Sequence, residues 1–139
     1  MPYPIPRHPY FKLGVRRSKI GLELYAMEKI PRGRFAMEYW GKVVTDDAAQ
    51  YVGGKYLFEL GNGRTILGAT RKNTARYANH ACRPNSEMRT IGNRAYLYSV
   101  KRIKPGEAIT YDYGKEYFEC FIKPYGCRCG TCKKRKTAR

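Results

Sequence analysis

At 139 residues, 42% of them hydrophobic, the chain suits one folded domain with a modest core and has no room for a second. Its 28 lysines and arginines against 11 aspartates and glutamates leave a net charge of +17, which predicts affinity for polyanions or acidic protein surfaces, or else a solvated basic face. No apolar run approaches the length of a membrane span and no signal-peptide core opens the chain, so the expectation is an intracellular protein without membrane contact.

Residues 1–12 carry Pro2, Pro4, Pro6 and Pro9 and read as a leader kept out of helix and central strand. Ser18 to Ala26 is a glycine turn leading into a strand. Pro31-Arg32-Gly33 turns the chain, and Phe35 to Val44 is a strand broken by Gly41. Thr45-Asp46-Asp47 has the character of an N-cap opening a short helix through Tyr51, which Gly53-Gly54 ends. Lys55 to Leu60 alternates, with Tyr56, Phe58 and Leu60 on one face of a half-buried strand. Gly61-Asn62-Gly63 forms a hairpin turn into Arg64 to Leu67. Arg94 to Lys101 is another alternating strand, and Pro105-Gly106 turns the chain into a last one reaching Tyr113. Many short strands with frequent glycine turns and one or two short helices predict a mostly β (α+β) domain. There is no internal repeat.

Three stretches carry chemistry. The first, Arg76-Tyr77-Ala78-Asn79-His80-Ala81-Cys82-Arg83-Pro84-Asn85, packs an amide, an imidazole and a thiol into four residues. Pro84 keeps Arg83 out of the α region, so a short helical turn ending near His80 cannot run on. Taken alone, an Asn-His pair can simply satisfy loop backbone. The second stretch is Tyr111-Asp112-Tyr113, whose two phenols would leave one face of a strand about 7 Å apart and could wall a narrow channel. Two core tyrosines are the simpler reading of that strand by itself. The third is Cys127-Arg128-Cys129-Gly130-Thr131-Cys132, where the spacing suits one zinc ion better than disulfides. Three thiolates leave zinc one ligand short, with Cys82 and Cys120 the spare thiols.

Together these stretches resemble the SET-domain protein-lysine methyltransferases that end in a post-SET segment. The family's Arg-Phe-x-Asn-His-x-Cys-x-Pro-Asn matches residues 76–85, its Gly-Glu-x-x-Thr-x-Asp-Tyr matches Gly106 to Tyr113, and its Glu-Tyr-x-Gly matches Glu38 to Gly41. The likeness runs from about Lys12 to Cys132 and is closest to small stand-alone SET proteins. It implies a β-clip of short sheets in which the Asn-His segment and the Tyr-x-Tyr strand pass in a knot-like crossing. The division that follows is a leader over 1–12, a SET domain over 13–115, a zinc-bound post-SET segment over 116–132 and a basic tail over 133–139.

The resemblance further implies S-adenosylmethionine as methyl donor, S-adenosylhomocysteine as product, and a lysine of a protein substrate such as a histone tail as acceptor. Carried over by position, Tyr113 is the catalytic tyrosine, Tyr39 lines the lysine channel and Tyr111 tunes how many methyls are added, favouring one or two. Arg76, Asn79 and His80 hold the cofactor, Gly21, Leu22 and Glu23 meet it, Tyr56 flanks it, and Phe118 is taken as its aromatic cover. Zinc falls to Cys82, Cys127, Cys129 and Cys132. The chain departs from the family pattern at Glu23 (commonly glycine), at Leu67 (commonly aspartate), in the shorter spacing of its last two cysteines, and in having no aromatic after Cys132. A second reading from another class is a catalytically weak SET fold that binds chromatin or nucleic acid through its basic surface, including Lys133-Lys134-Arg135-Lys136. The location implied is nucleus and chromatin in a eukaryote, or cytoplasm or a secreted effector in a bacterium. Oligomeric state is left open.

Overall fold

The computed structural model describes residues 11–53 and 56–114. Ser18 and Gly21 make the first turn. The Ser18 hydroxyl donates to the Gly21 carbonyl at 3.1 Å, and Gly21 takes φ +111, a conformation that L side chains rarely adopt. The turn folds β1 (Leu13–Ser18) onto β2 (Gly21–Ala26) in antiparallel register, Arg16 opposite Glu23 and Val15 opposite Leu24. β1 was not expected from the sequence, because its arginines break the apolar alternation.

Two three-stranded sheets follow. In one the order is β3 (Phe35–Tyr39), β9 (Arg94–Ser99), β8 (Ser86–Ile91); in the other it is β4 (Lys42–Thr45), β6 (Arg64–Leu67), β5 (Leu57–Glu59). Between β4 and β5 lies α1 (Asp46–Val52), capped by the Thr45 hydroxyl, which accepts from the Ala48 amide at 3.2 Å; Gly53 ends the helix. The fourth sheet is a short parallel pair, β7 (Asn79–His80) beside β10 (Thr110–Tyr111). Leu24, Ile30, Ile66, Leu97, Ile103 and Ile109, each fully buried, fill the core between these layers.

Several expected boundaries move. The strand read over 55–60 shortens to Leu57–Glu59, because Tyr56 adopts φ +65 and leaves the pleat, its carbonyl accepting from the Gly68 amide at 2.7 Å. The helical turn before the Asn-His pair is a 3-10 helix over Thr74–Tyr77, and it stops three residues short of His80 so that Asn79 and His80 can be a strand. The last strand stops at Tyr111, since the Tyr113 amide is taken by the His80 ring and not by a ladder partner.

Two buried asparagines lock the layers together. Asn73, fully buried, accepts from the Trp40 amide at 3.1 Å and donates to the Gly68 carbonyl at 3.0 Å. Asn85 donates to the Ala108 carbonyl at 2.7 Å and to Glu107 Oε2 at 3.0 Å, and it accepts from the Thr110 amide at 3.0 Å. Removing a buried amide leaves those groups unsatisfied, at roughly 1–3 kcal/mol each before relaxation. Asn85→Ala is therefore expected to lower the free energy of unfolding by about 2–4 kcal/mol, measured by urea denaturation. A loss below about 1 kcal/mol would show that water replaces the amide at little cost.

Candidate active site

The parallel pair β7–β10 sets the site. Asn79 lies opposite Thr110 and His80 opposite Tyr111, and the Ala81 amide continues the pairing by donating to the Tyr111 carbonyl at 3.2 Å. From this junction the Asn79 side chain reaches back to the hairpin, its Nδ2 donating to the Leu22 carbonyl at 3.1 Å. Residues 57 positions apart in the chain, Leu22 and Asn79, thus share one edge of the site.

His80 faces Tyr113. The Tyr113 amide donates to His80 Nδ1 at 3.1 Å, and the Cys82 sulfur lies 3.6 Å from Nε2. A ring that accepts at Nδ1 carries its hydrogen at Nε2, so the bond selects the neutral Nε2–H tautomer. Burial pushes the imidazole below its usual range, and the Asp112 carboxylate, 3.7 Å from Nδ1, opposes this only in part. The Tyr113 hydroxyl donates to the Ala78 carbonyl at 2.6 Å, which fixes the phenol.

Around Tyr113 the tyrosines converge. The Tyr111 and Tyr113 rings pack with centroids 4.8 Å apart. Tyr39 and Tyr111 are both buried in the main core cluster, against which Phe58, Tyr77 and Tyr113 pack. Tyr39 stands 5.5 Å from Phe58 and is pressed onto Gly68, where an added Cβ would come within 2.3 Å of the Tyr39 hydroxyl. Any side chain at residue 68 would displace that phenol. Behind Tyr39 a cavity of about 320 Å³ is walled by Glu38, Trp40 and Arg94, with Arg94 clamping the buried Glu38 carboxylate through two bonds of 2.8 and 3.0 Å.

Arg76 lies between two rings, its guanidinium carbon 4.7 Å from the centroids of both Tyr56 and Tyr77. It also donates to the Ala69 carbonyl and to the Tyr77 hydroxyl, yet its buried Nε finds no acceptor among the described residues. The left-handed turn at Tyr56 is what brings that ring under Arg76.

Of the sequence-derived candidates, then, Leu22, Asn79, His80, Tyr111 and Tyr113 meet at one junction. Tyr39 joins it through the core, and Arg76 with Tyr56 forms a neighbouring stack. Gly21 opens the strand, and a Cβ built there would touch nothing within 4 Å. Glu23 Oε1 accepts from Arg16 Nε at 2.7 Å, so its carboxylate is tied across the hairpin to β1. Cys82 is exposed at the rim. Phe118, Cys127, Cys129 and Cys132 lie outside the described residues, and among those described no cluster of three or more His, Cys, Asp or Glu could hold a metal. Sequence reasoning passed over Gly68 and Asn73, for which there was no signal, and read Phe58 from its alternation only as an inward-facing strand residue.

Comparison with known proteins agrees with this geometry. A family model described as the SET domain matches residues 21–114, most of the described chain. The protein belongs to the SET domain family. This SET domain is 36% identical over 131 residues to histone-lysine N-methyltransferase Set2 of Drosophila melanogaster, covering 81% of this chain and 6% of that one. It is 34% identical over 126 residues to the H3 lysine-4 specific histone-lysine N-methyltransferase of Chaetomium globosum, covering 79% and 12%. The crystal structure of KRYPTONITE in complex with mCHH DNA, H3(1-15) peptide and SAH superposes with a TM-score of 0.69 at 31% identity, over 77% of this chain and 24% of that one. The chain thus spans a small part of the relatives it matches.

Nitrogen-15 NMR of the imidazoles is expected to find His80 as the Nε2–H tautomer at pH 7.5. Because the fold lowers the His80 pKa, the unfolded chain binds the proton more readily. Stability from this group is full above the unfolded value, roughly 6.5, and is lost as pH falls through it toward the folded value. Denaturation at pH 7.5 and 5 in native protein and His80→Gln checks this: the acid-induced loss should be smaller in the variant.

Proposed function

We propose that the protein is an S-adenosylmethionine-dependent protein-lysine N-methyltransferase acting on a histone or another basic, nucleic-acid-associated protein. The observation that carries this reading is the junction itself: a fixed phenol at Tyr113 beside the Asn79-His80 strand, inside a cluster of tyrosines. The relatives named as histone-lysine N-methyltransferases, and the superposed structure with its H3 peptide and SAH, support it. A place on chromatin follows from the same relatives, and no described helix is long and apolar enough to cross a membrane.

When bound, S-adenosylmethionine supplies an electrophilic methyl on a cationic sulfonium. The residues present suit such a group. Arg76 Nε is a buried donor still lacking an acceptor, as a carboxylate-bearing cofactor requires, and Gly21 leaves open space where a side chain would stand. Arg76, Asn79, His80 and the backbone of Gly21 and Leu22 would hold it, with Tyr56 beside it and Phe118 as cover. Glu23, engaged by Arg16, would act by shaping that edge.

The chain's own task is to deliver a neutral amine in line. An ammonium entering among Tyr39, Tyr111 and Tyr113 loses its water, and this desolvation lowers its pKa so that the proton leaves to solvent. The Tyr113 oxygen, held by the Ala78 carbonyl, then orients the reacting groups, which is catalysis chiefly by position. The Tyr111 hydroxyl can keep a water beside the amine, in space that further methyls would need. Cys82 is exposed next to His80, suitably placed for a zinc ion shared with Cys127, Cys129 and Cys132 that would fasten a segment over 116–132 onto the site.

Labelled S-adenosylmethionine with a panel of histones tests the activity. Tyr113→Phe is expected to reduce transfer by roughly 10²-fold or more while the fold persists; turnover within a few-fold of the unmutated protein removes Tyr113 from the mechanism. Mass spectrometry of a peptide product should find mono- and dimethyl-lysine, with trimethyl-lysine appearing in Tyr111→Phe. Metal analysis should find one zinc that Cys82→Ser loses and Cys120→Ser keeps. The reverse pattern would cut the link between metal and site.

A further inference from the structure

At the end of β2 away from Leu22, about 14 Å along the strand, two loops pack against each other. Residues 27–34 carry Lys29, Arg32 and Arg34, and residues 100–106 carry Lys101, Arg102 and Lys104; all six side chains are exposed. Their backbones are joined firmly. Ile30 and Ile103 exchange amide–carbonyl bonds of 2.9 and 2.8 Å, the Gly33 amide donates to the Ser99 carbonyl at 2.8 Å, and the Gly106 amide to the Ala26 carbonyl at 2.7 Å.

The register of this joint decides where the charges point. Ile30 and Ile103 form an antiparallel bridge and both are fully buried. Residues one step to either side therefore oppose each other and face outward. That sets Lys29 opposite Lys104, and Pro31 opposite Arg102. Like charges directly opposite each other destabilise a pairing.

Three arginines elsewhere are paired: Arg16 to Glu23 at 2.7 Å, Arg89 to Glu87 at 2.7 Å and Arg94 to Glu38 at 2.8 Å. Among the described residues no carboxylate pairs with any of these six. Glu28, the one acid in these loops, accepts from the Lys12 amide at 2.9 Å, and Glu107, one residue beyond them, from the Asn85 amide at 3.0 Å. Arg34 is steadied from the side, its guanidinium 5.3 Å over the Phe11 ring.

We propose that this face is a phosphate-binding surface that seats duplex DNA. Six uncompensated cations on rigid backbone suit a regular polyanion. The loops expose one large apolar side chain, Met27, and so lack the aromatic and aliphatic anchors that a protein interface or a membrane surface would use. The proposal stands apart from the methyl-transfer reading, because none of the six residues belongs to the junction around Tyr113.

The test uses the full chain, basic tail included, and fluorescence anisotropy with a duplex of arbitrary sequence over a range of salt. Lys101→Gln/Arg102→Gln/Lys104→Gln is compared with Lys42→Gln/Arg64→Gln/Lys72→Gln, which removes the same charge from exposed positions elsewhere. The first variant should bind roughly tenfold or more weakly near 0.1 M salt and reduce the slope of log K against log salt by about 2–3, the control far less. Relieved repulsion should hold or raise its Tm, so that lost binding cannot come from unfolding. Equal losses in the two variants, or unchanged duplex binding in the first, overturn the proposal. A loss seen with phosphatidylserine vesicles but not with duplex overturns the choice of DNA. Methyl transfer to a free peptide, followed in parallel, should be unchanged in the first variant, which keeps the two readings separable.

Discussion

The side-chain amide of Asn85 is the joint through which the strand bearing Asn79 and His80 is held against the segment bearing Tyr111 and Tyr113. Its two hydrogens go to Ala108 and Glu107 and its oxygen accepts from Thr110, while the backbone carbonyl of Asn85 accepts from the Val100 amide at 2.8 Å. An amide fits here because it donates and accepts at once, whereas a carboxylate would only accept and would carry charge into a buried place. The β7–β10 pair contributes few backbone bonds of its own, so its alignment depends on this neighbour. Tyr113 inherits that alignment through His80 and Ala78.

The tyrosine wall that results carries no charge, although the chain around it is strongly basic. His80 is kept neutral by burial, and the phenols of Tyr39, Tyr111 and Tyr113 present oxygens and ring faces. A neutral, aromatic, partly enclosed wall disfavours an incoming cation retaining its proton, whereas a glutamate there would stabilise the ammonium and hold it charged. Of the neighbouring acids, Glu38 is clamped by Arg94 and Glu107 is held by Asn85, while Asp112 is exposed with its carboxylate 3.7 Å from His80 Nδ1. Six of the lysines and arginines lie on loops at the far end of β2.

Much of this was legible in the sequence where the information is local. The Thr45 cap, the Gly53 stop, the Gly61-Asn62-Gly63 turn and the alternating β9 each declare themselves within a few residues, and each is present. The motif around Asn79 and His80, with Tyr111 and Tyr113 downstream, names residues that the fold brings together. What stayed hidden depends on partners distant in the chain. Asn73 reads as an ordinary loop residue until Trp40 and Gly68 close on it. Glu23 reads as an intruder in a cofactor strand until the hairpin register sets Arg16 across from it. Tyr56 looked like a strand residue because alternation says nothing about the sign of φ.

The parallel pairing of β7 with β10 also bears on the order in which the protein assembles. The hairpins β1–β2, β5–β6 and β8–β9 each close over a short turn and can form from nearby segments. The β7–β10 pair joins residues 79–80 to 110–111 across the intervening β8–β9 hairpin, and Asn79 must also find Leu22. Loop-closure entropy weighs most heavily on such distant pairings, and they are rewarded only once the surrounding core is present. The junction of Tyr113 with His80 is therefore expected to close late in folding. A nascent or partly folded chain carries the hairpins without the site, and the grouping of Tyr113 with His80 arises only when the whole domain has closed.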